Sequence, residues 1–435
     1  MKSSLSFKIL TSFLSVLLAV NVNGAIVLDP SFDGDGLVTV DFETNESRGS
    51  FARYLFQQPS QRLIIGGEHV YPLPLAQAAG IAFCGLTSSG ELDVNFGTNG
   101  KTLQILNNSF YRLVDVKQLS DGRYLRLWEQ FAGFSNSAFL TRYNANGSLD
   151  QSFSANVNSF GSNVRAIGFA LRQDGKINVI MAESGAGPYR LMRLNANGSR
   201  DQSFGTNGIT SLNLSRLGSF TIVGIHIQTD GKIVLAGMAN DRGTPSGGNI
   251  AWALRVDESG NLDRTFGLQG VVRVVFPTGT GIGIQGTFLQ SDGKLLLVGR
   301  VGESPTDFDF LLLRLTKRGR GDVGFGQHGI VRTNLGTTGS IESAAAVVAL
   351  SDGKLVVVGD FRPSGNDPSH FAVVRYSSTG VIEDTGLTAF YDGLSAIPTS
   401  VLVQPDGKIV VAGSTDTPDI INNGKRFAIA RFLQE

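Results

Sequence analysis

Short apolar runs alternate with glycine-rich polar turns along almost the whole chain. The runs are rich in Val, Ile, Leu and Phe, as in KIVVAG and KLLLVG, and the turns between them contain Gly, Asp, Asn and Ser. Apolar runs of this length, bounded by turn residues, are typical of β-strands. The pattern therefore predicts an all-β protein built from short strands and tight turns.

A turn of the form Asp-Gly-Lys, or Asp-Gly-Arg in one copy, follows an apolar run at regular intervals. Successive copies lie 53–62 residues apart, at Asp121, Asp174, Asp230, Asp292, Asp352 and Asp406, with a degenerate copy, QPSQR, at Ser60. The Asp-Gly pair supplies the positive φ angles that a tight hairpin turn requires. Each copy therefore predicts a hairpin between a first strand, A, and a second strand, B.

A second signature, LDxxFGxxG, follows a third apolar strand, C, and precedes a fourth, D. Its repeated Asp and Phe are Asp93 and Phe96, Asp150 and Phe153, Asp201 and Phe204, Asp263 and Phe266, and Asp322 and Phe325. Strand C ends in an arginine at Arg142, Arg193, Arg255, Arg314, Arg375 and Arg431, whereas the first unit has Gly85 there. Because these residues recur in nearly every unit, we expect them to be structural. The Asp would fix a turn through backbone N–H groups, the Phe would pack between units, and the Arg would pair with loop carboxylates.

These units resemble the delta-60 repeat, a bacterial β-propeller repeat family, from about residue 26 to residue 435. The resemblance implies four short strands per unit, repeated radially, and it implies no particular activity. With seven copies of the turn, we predict a single seven-bladed β-propeller of four-stranded antiparallel blades. An open solenoid is the alternative.

The two ends of the chain complement each other. The chain stops just after strand C of the last unit and starts with LDPSFDGDGLVTVDF, which is the loop and strand D that this unit lacks. We therefore expect the amino-terminal strand to complete the last blade and cover its sheet edge.

Residues 1–24 have the form of a secretory signal peptide. Lys2 and Lys8 precede an apolar run of about a dozen residues, which is short for a membrane span, and small residues precede Ala25. We expect cleavage near Gly24, a single domain at 25–435, and a secreted, periplasmic or cell-surface location. An uncleaved membrane anchor is the alternative.

Composition and motifs exclude several classes of function. The chain has 37 basic and 37 acidic residues without a basic stripe, so nucleic acid is not expected as a partner. Its lone Cys84 excludes an internal disulfide and is expected to be a buried core residue. Zinc and nucleophile motifs are not evident, so no cofactor is predicted. Calcium binding by Asp33 and Asp35 and a plain glycine-rich turn both remain open.

The connections between strands B and C carry no shared pattern, unlike the repeated turns on the other face. Variable loops on a rigid scaffold are where binding residues usually lie. The tentative ligand-binding residues are Asp241, Arg242, Asp307, Arg362, Asp367 and His370, accompanied by Glu303, Asp309, Asp416 and Asp419.

The sequence favours an exported, non-enzymatic binding or scaffold protein that holds a glycan or an extracellular protein on this B–C loop face. One alternative is an enzyme that acts on a polysaccharide or a small molecule with the loop carboxylates. The other is a purely structural surface protein.

Overall fold

The structure, a computed structural model, describes residues 26–42, 49–70, 79–104, 110–132, 135–153, 163–183, 188–212, 214, 219–240, 249–277, 279–304, 306–418 and 424–434. Within these ranges the elements are β-strands joined by turns. The part of the chain so described contains no helix that is long and apolar enough to cross a membrane. The predicted signal peptide, residues 1–24, lies outside the described residues.

The strands follow the predicted A–B–C–D order. The amino-terminal strands and the first two units contain β1 (Val27–Leu28), β2 (Leu37–Val40), β3 (Gly49–Gln57), β4 (Leu63–Val70), β5 (Ala79–Leu86), β6 (Lys101–Gln104), β7 (Phe110–Gln118), β8 (Tyr124–Ala132) and β9 (Ser135–Tyr143). The next two contain β10 (Val164–Leu171), β11 (Ile177–Glu183), β12 (Tyr189–Leu194), β13 (Ile209–Leu212), β14 (Ser219–Ile227), β15 (Ile233–Asn240), β16 (Asn249–Val256) and β17 (Val271–Val275).

The remaining units complete the circle of strands. They contain β18 (Gly281–Leu289), β19 (Leu295–Ser304), β20 (Asp307–Leu315), β21 (Ile330–Thr333), β22 (Ile341–Ala349), β23 (Leu355–Arg362), β24 (His370–Tyr376), β25 (Ile382–Thr388), β26 (Ala396–Val403), β27 (Ile409–Asp416) and β28 (Lys425–Leu433). Strands A and B of each unit pair antiparallel across the turn that joins them. In the Asp-Gly copies of this turn the glycine has the expected positive φ, for example 76° at Gly231.

The β-propeller class is confirmed, but the predicted count of seven four-stranded blades is wrong. The described strands form five sheets of four or more strands and one sheet of three. One of the five has eight strands, β18–β25, because a parallel bridge between Phe308 and Ile341 joins two successive sequence units. The three-stranded sheet is β7–β9. Counting sequence units overestimated the sheets because the repeat pattern does not reveal hydrogen bonds that form between units.

The predicted closure by the amino-terminal strand is confirmed. Strand β2 pairs antiparallel with β28, Leu37 opposite Ala430 and Val40 opposite Phe427, and β1 pairs with the end of the same strand. Residues from both ends therefore share one sheet, and β2 covers an edge of β28 that would otherwise be open.

The apolar core lies between neighbouring sheets. Each cluster of buried residues combines side chains from two successive units, as where Trp252 and Phe204 pack together. The closing unit is no exception, because Val38 and Phe427 pack with Leu63 and Ala82 of the next sheet. Each sheet therefore depends on its neighbours for burial, which favours a closed ring.

A channel lined by bulged inner strands

The A strands form the inner wall of the ring. Each pairs on one side with its own strand B, and its free side packs towards the A strands of neighbouring units, as where β22 lies between β18 and β26. Between β3 and β7 the Tyr54 hydroxyl donates to the Val114 carbonyl at 2.7 Å. The A strands thus enclose the central channel.

Each A strand has a β-bulge near its middle. The register with strand B skips one residue, which the extra bulge position leaves unpaired. The skipped residues are Arg53, Val114, Ile167, Val223, Gln285, Ala345 and Thr399. All of them line one cavity of about 440 Å³ in the channel.

The cavity has a polar part and an aliphatic part. The aliphatic part includes Ile167, Ile222 and Val223, and the polar part includes Gln285 and Thr399. Thr399 Oγ1 donates to the Ala52 carbonyl at 2.8 Å, and Gln285 Nε2 donates to Ser343 Oγ at 2.5 Å. Their positions are therefore fixed by bonds to neighbouring strands.

Two cations of the lining are each paired with a carboxylate. The Arg53 guanidinium, whose side chain is 51% exposed, lies 2.9 Å from Glu68. Glu68 also accepts the backbone N–H of Leu113, at 3.2 Å. Lys117 Nζ lies 3.2 Å from Asp115. The charged side chains of the lining are therefore held in ion pairs, so the channel carries no large excess of either charge.

Burial, together with the positive charge of Lys117, lowers the pKa of His226 to about 3. The ring is therefore neutral at neutral pH, and its Nε2 lies 2.8 Å from the Thr287 hydroxyl. Burial also raises the pKa of Tyr54 well above its usual value, with Asp115 adding to the effect. Both groups are neutral and can only offer hydrogen bonds or apolar surface to a ligand.

Some of the predicted ligand-binding residues in the B–C loops make contacts within the protein. Arg362 Nη2 donates to Ser369 Oγ at 3.1 Å, so its guanidinium is bound to its own loop. The backbone N–H of Asp367 donates to the Ser364 carbonyl at 3.1 Å. His370 lies at the start of β24, opposite Phe361.

Asp307 and Arg362 lie at one junction. Asp307 begins β20, and Arg362 is opposite Ile341, which forms the parallel bridge to Phe308. Asp416 pairs with Lys425 instead. Asp241, Arg242 and Asp419 lie outside the described residues, so only part of the predicted loop site can be placed.

The repeated Arg, Asp and Phe residues form one recurring cluster, which we call the Arg–Asp–Phe cluster. In each cluster the arginine Nε lies 2.6–2.9 Å from the Asp, and the guanidinium lies 4.1–4.8 Å from the Phe ring centre. The members are Arg142 with Asp150 and Phe153, Arg193 with Asp201 and Phe204, Arg255 with Asp263 and Phe266, Arg314 with Asp322 and Phe325, and Arg431 with Asp29 and Phe32.

Each cluster also contacts the next unit around the ring. Arg255 Nη1 donates to the Lys317 carbonyl at 2.7 Å, and Phe266 is 1% exposed. Burial opposes ionisation of Asp263, but hydrogen bonds from Thr265 and Lys232 and the charge of Arg255 hold its pKa well below the usual range. The carboxylate is therefore ionised and satisfied, which is a structural arrangement rather than a reactive one.

The first unit assembles this cluster differently. Gly85 stands where the other units have arginine, and Arg62, from the degenerate turn, pairs with Asp93 at 2.6 Å and lies 6.0 Å from the Phe96 ring centre. A Cβ atom on Gly85 would lie 2.8 Å from Cβ of Phe96. The glycine therefore makes room for an arginine that comes from the turn between strands A and B.

The other candidate residues, Cys84 and Asp35, have structural roles. Cys84 is fully buried, and burial raises the pKa of its thiol to about 12. Asp35 accepts the backbone N–H of Leu37 at 2.9 Å within the amino-terminal turn. Among the residues that the structure describes, no three His, Cys, Asp or Glu side chains come together in a way that could hold a metal ion.

The channel residues are the ones that sequence reasoning missed. They lie near the middle of strand A, which precedes the turn to strand B, and their residue types differ from unit to unit. The available signal was this variability within an otherwise repeated strand. No sequence pattern identifies the bulge that turns these side chains inward.

Comparison with known proteins agrees with the fold. Five segments, 132–153, 172–204, 228–266, 350–385 and 404–434, match a family model described as "Domain of unknown function (DUF5122) beta-propeller". The chain is thus similar to a β-propeller repeat family. No curated protein matches it.

Solved propeller structures resemble it at a distance. A protein of unknown function from Dyadobacter fermentans is 10% identical with a TM-score of 0.49, covering 92% of this chain and 100% of that one. Prolyl oligopeptidase B from Galerina marginata is 10% identical with a TM-score of 0.44, covering 90% of this chain and 52% of that one. An α-L-arabinanase from Penicillium chrysogenum is 11% identical with a TM-score of 0.39, covering 94% and 97%. At these scores the likenesses carry no functional argument.

Proposed function

We propose that the protein is an exported, non-enzymatic binding protein whose ligand occupies the central channel and is approached from the B–C loop face. The observation that carries the proposal is the bulge in every A strand, which directs a residue of each unit into one cavity. Bulges are maintained features that re-aim side chains. A binding site requires residues from several elements to converge on one concave pocket.

The cavity has the dimensions and composition of a ligand site. Its 440 Å³ falls in the range of about 300–1,000 Å³ that is usual for small-molecule pockets. Aliphatic side chains supply apolar contact, while Gln285, Thr287 and Arg53 supply hydrogen-bonding groups. We therefore propose a ligand with both hydroxyl or amide groups and apolar surface, such as the end of a glycan or an extended protein segment.

The arrangement of the carboxylates supports a binding function better than it supports glycoside hydrolysis. Glycoside hydrolysis uses two carboxyl groups about 5–10 Å apart, one of them free to donate or accept a proton. In the described lining Asp115 is held by Lys117, and outside it Asp309 is held by Arg332. Neither arrangement supplies the acid and base pair of the enzymatic alternative.

Two finer assignments belong to the same proposal. The matched repeat segments and the LDxxFGxxG signature support identification as a delta-60 repeat protein. The basic and apolar residues of 1–24 support export with cleavage near Gly24. An intact mass of the natively produced protein that still included residues 1–24 would contradict export by this route.

Filling the channel tests the proposal. Wild type and Val223→Trp are screened on glycan and peptide arrays, with Val94→Trp as the matched control because Val94 is 69% exposed outside the channel. We expect signals in wild type and in the control, and at least a tenfold weaker signal in Val223→Trp at an unchanged melting temperature. Equal binding by all three proteins would contradict a channel site, and turnover of a glycan would favour an enzyme.

A further inference from the structure

The ion pairs around the channel expose their cations more than their acids. The side chain of Arg53 is 51% exposed, and that of its partner Glu68 is 14% exposed. Lys117 is 36% exposed, and its partner Asp115 is 17% exposed. Arg53, Lys117 and Asp115 line the cavity, whereas Glu68 is not among the residues described there. A ligand in the cavity therefore meets more positive than negative charge on the wall that β3 and β7 form.

Backbone N–H groups of the neighbouring A strand hold these acids in place. Glu68 Oε1 accepts the N–H of Leu113, on β7, at 3.2 Å. Asp115 Oδ2 accepts the N–H of Phe169, on β10, at 3.3 Å. Each carboxylate thus binds a backbone amide as well as a cation, so the protein itself already compensates much of its negative charge.

A third pair, formed by Arg112 and Glu129, has the same construction. Arg112 lies on β7, two residues before the bulge residue Val114, and its Nε lies 2.9 Å from the carboxylate of Glu129. Glu129 is fully buried and accepts the N–H of Ala166 at 2.6 Å, whereas the side chain of Arg112 is 39% exposed. The arrangement therefore recurs between the first and second units and between the second and third, with the cation always the more exposed partner.

Both cations of the lining keep donors that the protein does not use. Arg53 binds Glu68 through Nε and Nη2, and Nη1 has no hydrogen-bond partner within the described residues. Lys117 Nζ binds the single carboxylate of Asp115, whereas an ammonium group has three donors. The charge of Lys117 also acts on His226, whose pKa it helps to lower. The two cations are therefore available to an anionic group in the cavity.

The backbone at the neighbouring bulges is already bound, which disfavours a peptide ligand. An extended peptide binds mainly through backbone hydrogen bonds to an open strand. The Val114 carbonyl accepts the Tyr54 hydroxyl at 2.7 Å, and the Ala52 carbonyl accepts Thr399 Oγ1 at 2.8 Å. Polar contacts to a ligand on this wall must therefore come mainly from side chains.

The remaining polar side chains of the lining suit sugar hydroxyls. The Thr287 hydroxyl lies 2.8 Å from Nε2 of the neutral His226, and Gln285 supplies an amide. Hydroxyl, imidazole and amide groups can each donate and accept, as a sugar hydroxyl does. Ile167 and Val223 add apolar contact for the C–H groups of a sugar ring.

We propose that the channel ligand is an acidic sugar, a uronate at the end of a glycan, whose carboxylate binds Arg53 and Lys117. Hydrogen bonds from a cationic donor to a carboxylate are stronger than those between neutral groups. This inference rests on the proposed function, because it requires that the ligand occupies the channel, and it adds the chemical class of that ligand.

Calorimetric titration of wild type tests the requirement for a carboxylate. The probes are oligosaccharides that end in galacturonate, glucuronate or mannuronate, each with a neutral counterpart that carries a hydroxymethyl group in place of the carboxylate. At least one uronate probe should bind at least about tenfold more tightly than its neutral counterpart, because the counterpart lacks the charge-assisted hydrogen bonds. The difference should shrink as the ionic strength rises.

Single substitutions locate the positive charge. Arg53→Gln and Lys117→Gln should each weaken uronate binding by at least about tenfold and leave binding of the neutral counterpart nearly unchanged. Arg53→Lys keeps the charge and should retain most of the affinity. Arg320→Gln is the matched control, since it removes one positive charge from an exposed position in a repeated turn. The comparison of probes on wild type stands even if one of these variants does not fold.

The outcomes separate this inference from the proposed function. Equal affinity for the uronate and neutral probes, with both lost in Val223→Trp, would retain the channel site and overturn the acidic sugar. Uronate binding that Val223→Trp leaves intact would overturn both. The acidic sugar would also be overturned if no uronate probe bound, or if tetraglutamate bound in the channel in place of the uronates.

Discussion

At the scale of single residues, the Arg–Asp–Phe cluster explains why the same letters recur in the sequence. One arginine binds the Asp of its own loop, covers the Phe ring, and reaches a carbonyl of the next unit, as Arg255 does with Asp263, Phe266 and Lys317. The charge is buried with its partners in place, so removing one member leaves the others unpaired.

Phe266→Ala should reduce the free energy of unfolding by about 3–5 kcal/mol, because it deletes a buried aromatic side chain that packs between units. Leu268→Ala is the matched control, since Leu268 lies two residues away and is 63% exposed. Denaturant unfolding measures both. A loss below about 1 kcal/mol for Phe266→Ala would show that the ring does not support the interface.

Gly85→Ala should destabilise the first unit by about 1–3 kcal/mol, because the added Cβ would overlap Phe96 and crowd Arg62. Gly365→Ala is the control, since a Cβ there meets nothing within 4 Å and its φ is not positive. Equal melting temperatures for the two variants would contradict the account of how Arg62 replaces the missing arginine.

At the scale of elements, the strand pattern and the closing strand could be predicted from the sequence, whereas the sheet count could not. Hairpins follow from local chemistry, because an Asp-Gly pair between apolar runs has few other conformations. The link between β20 and β22 depends on one backbone hydrogen bond between distant residues. No residue type encodes such a bond, so the count of seven separate blades was wrong.

Removing the closing segment should lower stability substantially. A chain that lacks residues 25–45 loses strand β2, together with Asp29 and Phe32, which bind Arg431 at 2.7 Å and 4.4 Å respectively. We expect a fall of several kcal/mol in the free energy of unfolding, because a buried aromatic alone contributes about 3–5 kcal/mol. Calorimetry of the chains beginning at residues 25 and 46 measures it, and equal melting temperatures would refute the role of closure.

At the scale of the whole molecule, the candidate site lies where units meet rather than within any one of them. The sequence pointed to the variable loops, because loops that differ between otherwise similar repeats can be recognised from the sequence alone. It did not find the channel, because inward orientation arises from a bulge in each A strand and from the ring that brings distant strands together. The structure therefore makes the channel a second candidate region beside the loop face. The residues of the repeated turns make structural contacts.

The most direct test of the central claim is a crystal structure of the protein with the strongest hit from the glycan and peptide arrays. The account predicts ligand density in the channel, in contact with Ile167, Val223 and Gln285. Density confined to the outer groove beside Ser203, Thr210 and Asn261, with the channel unchanged, would contradict it.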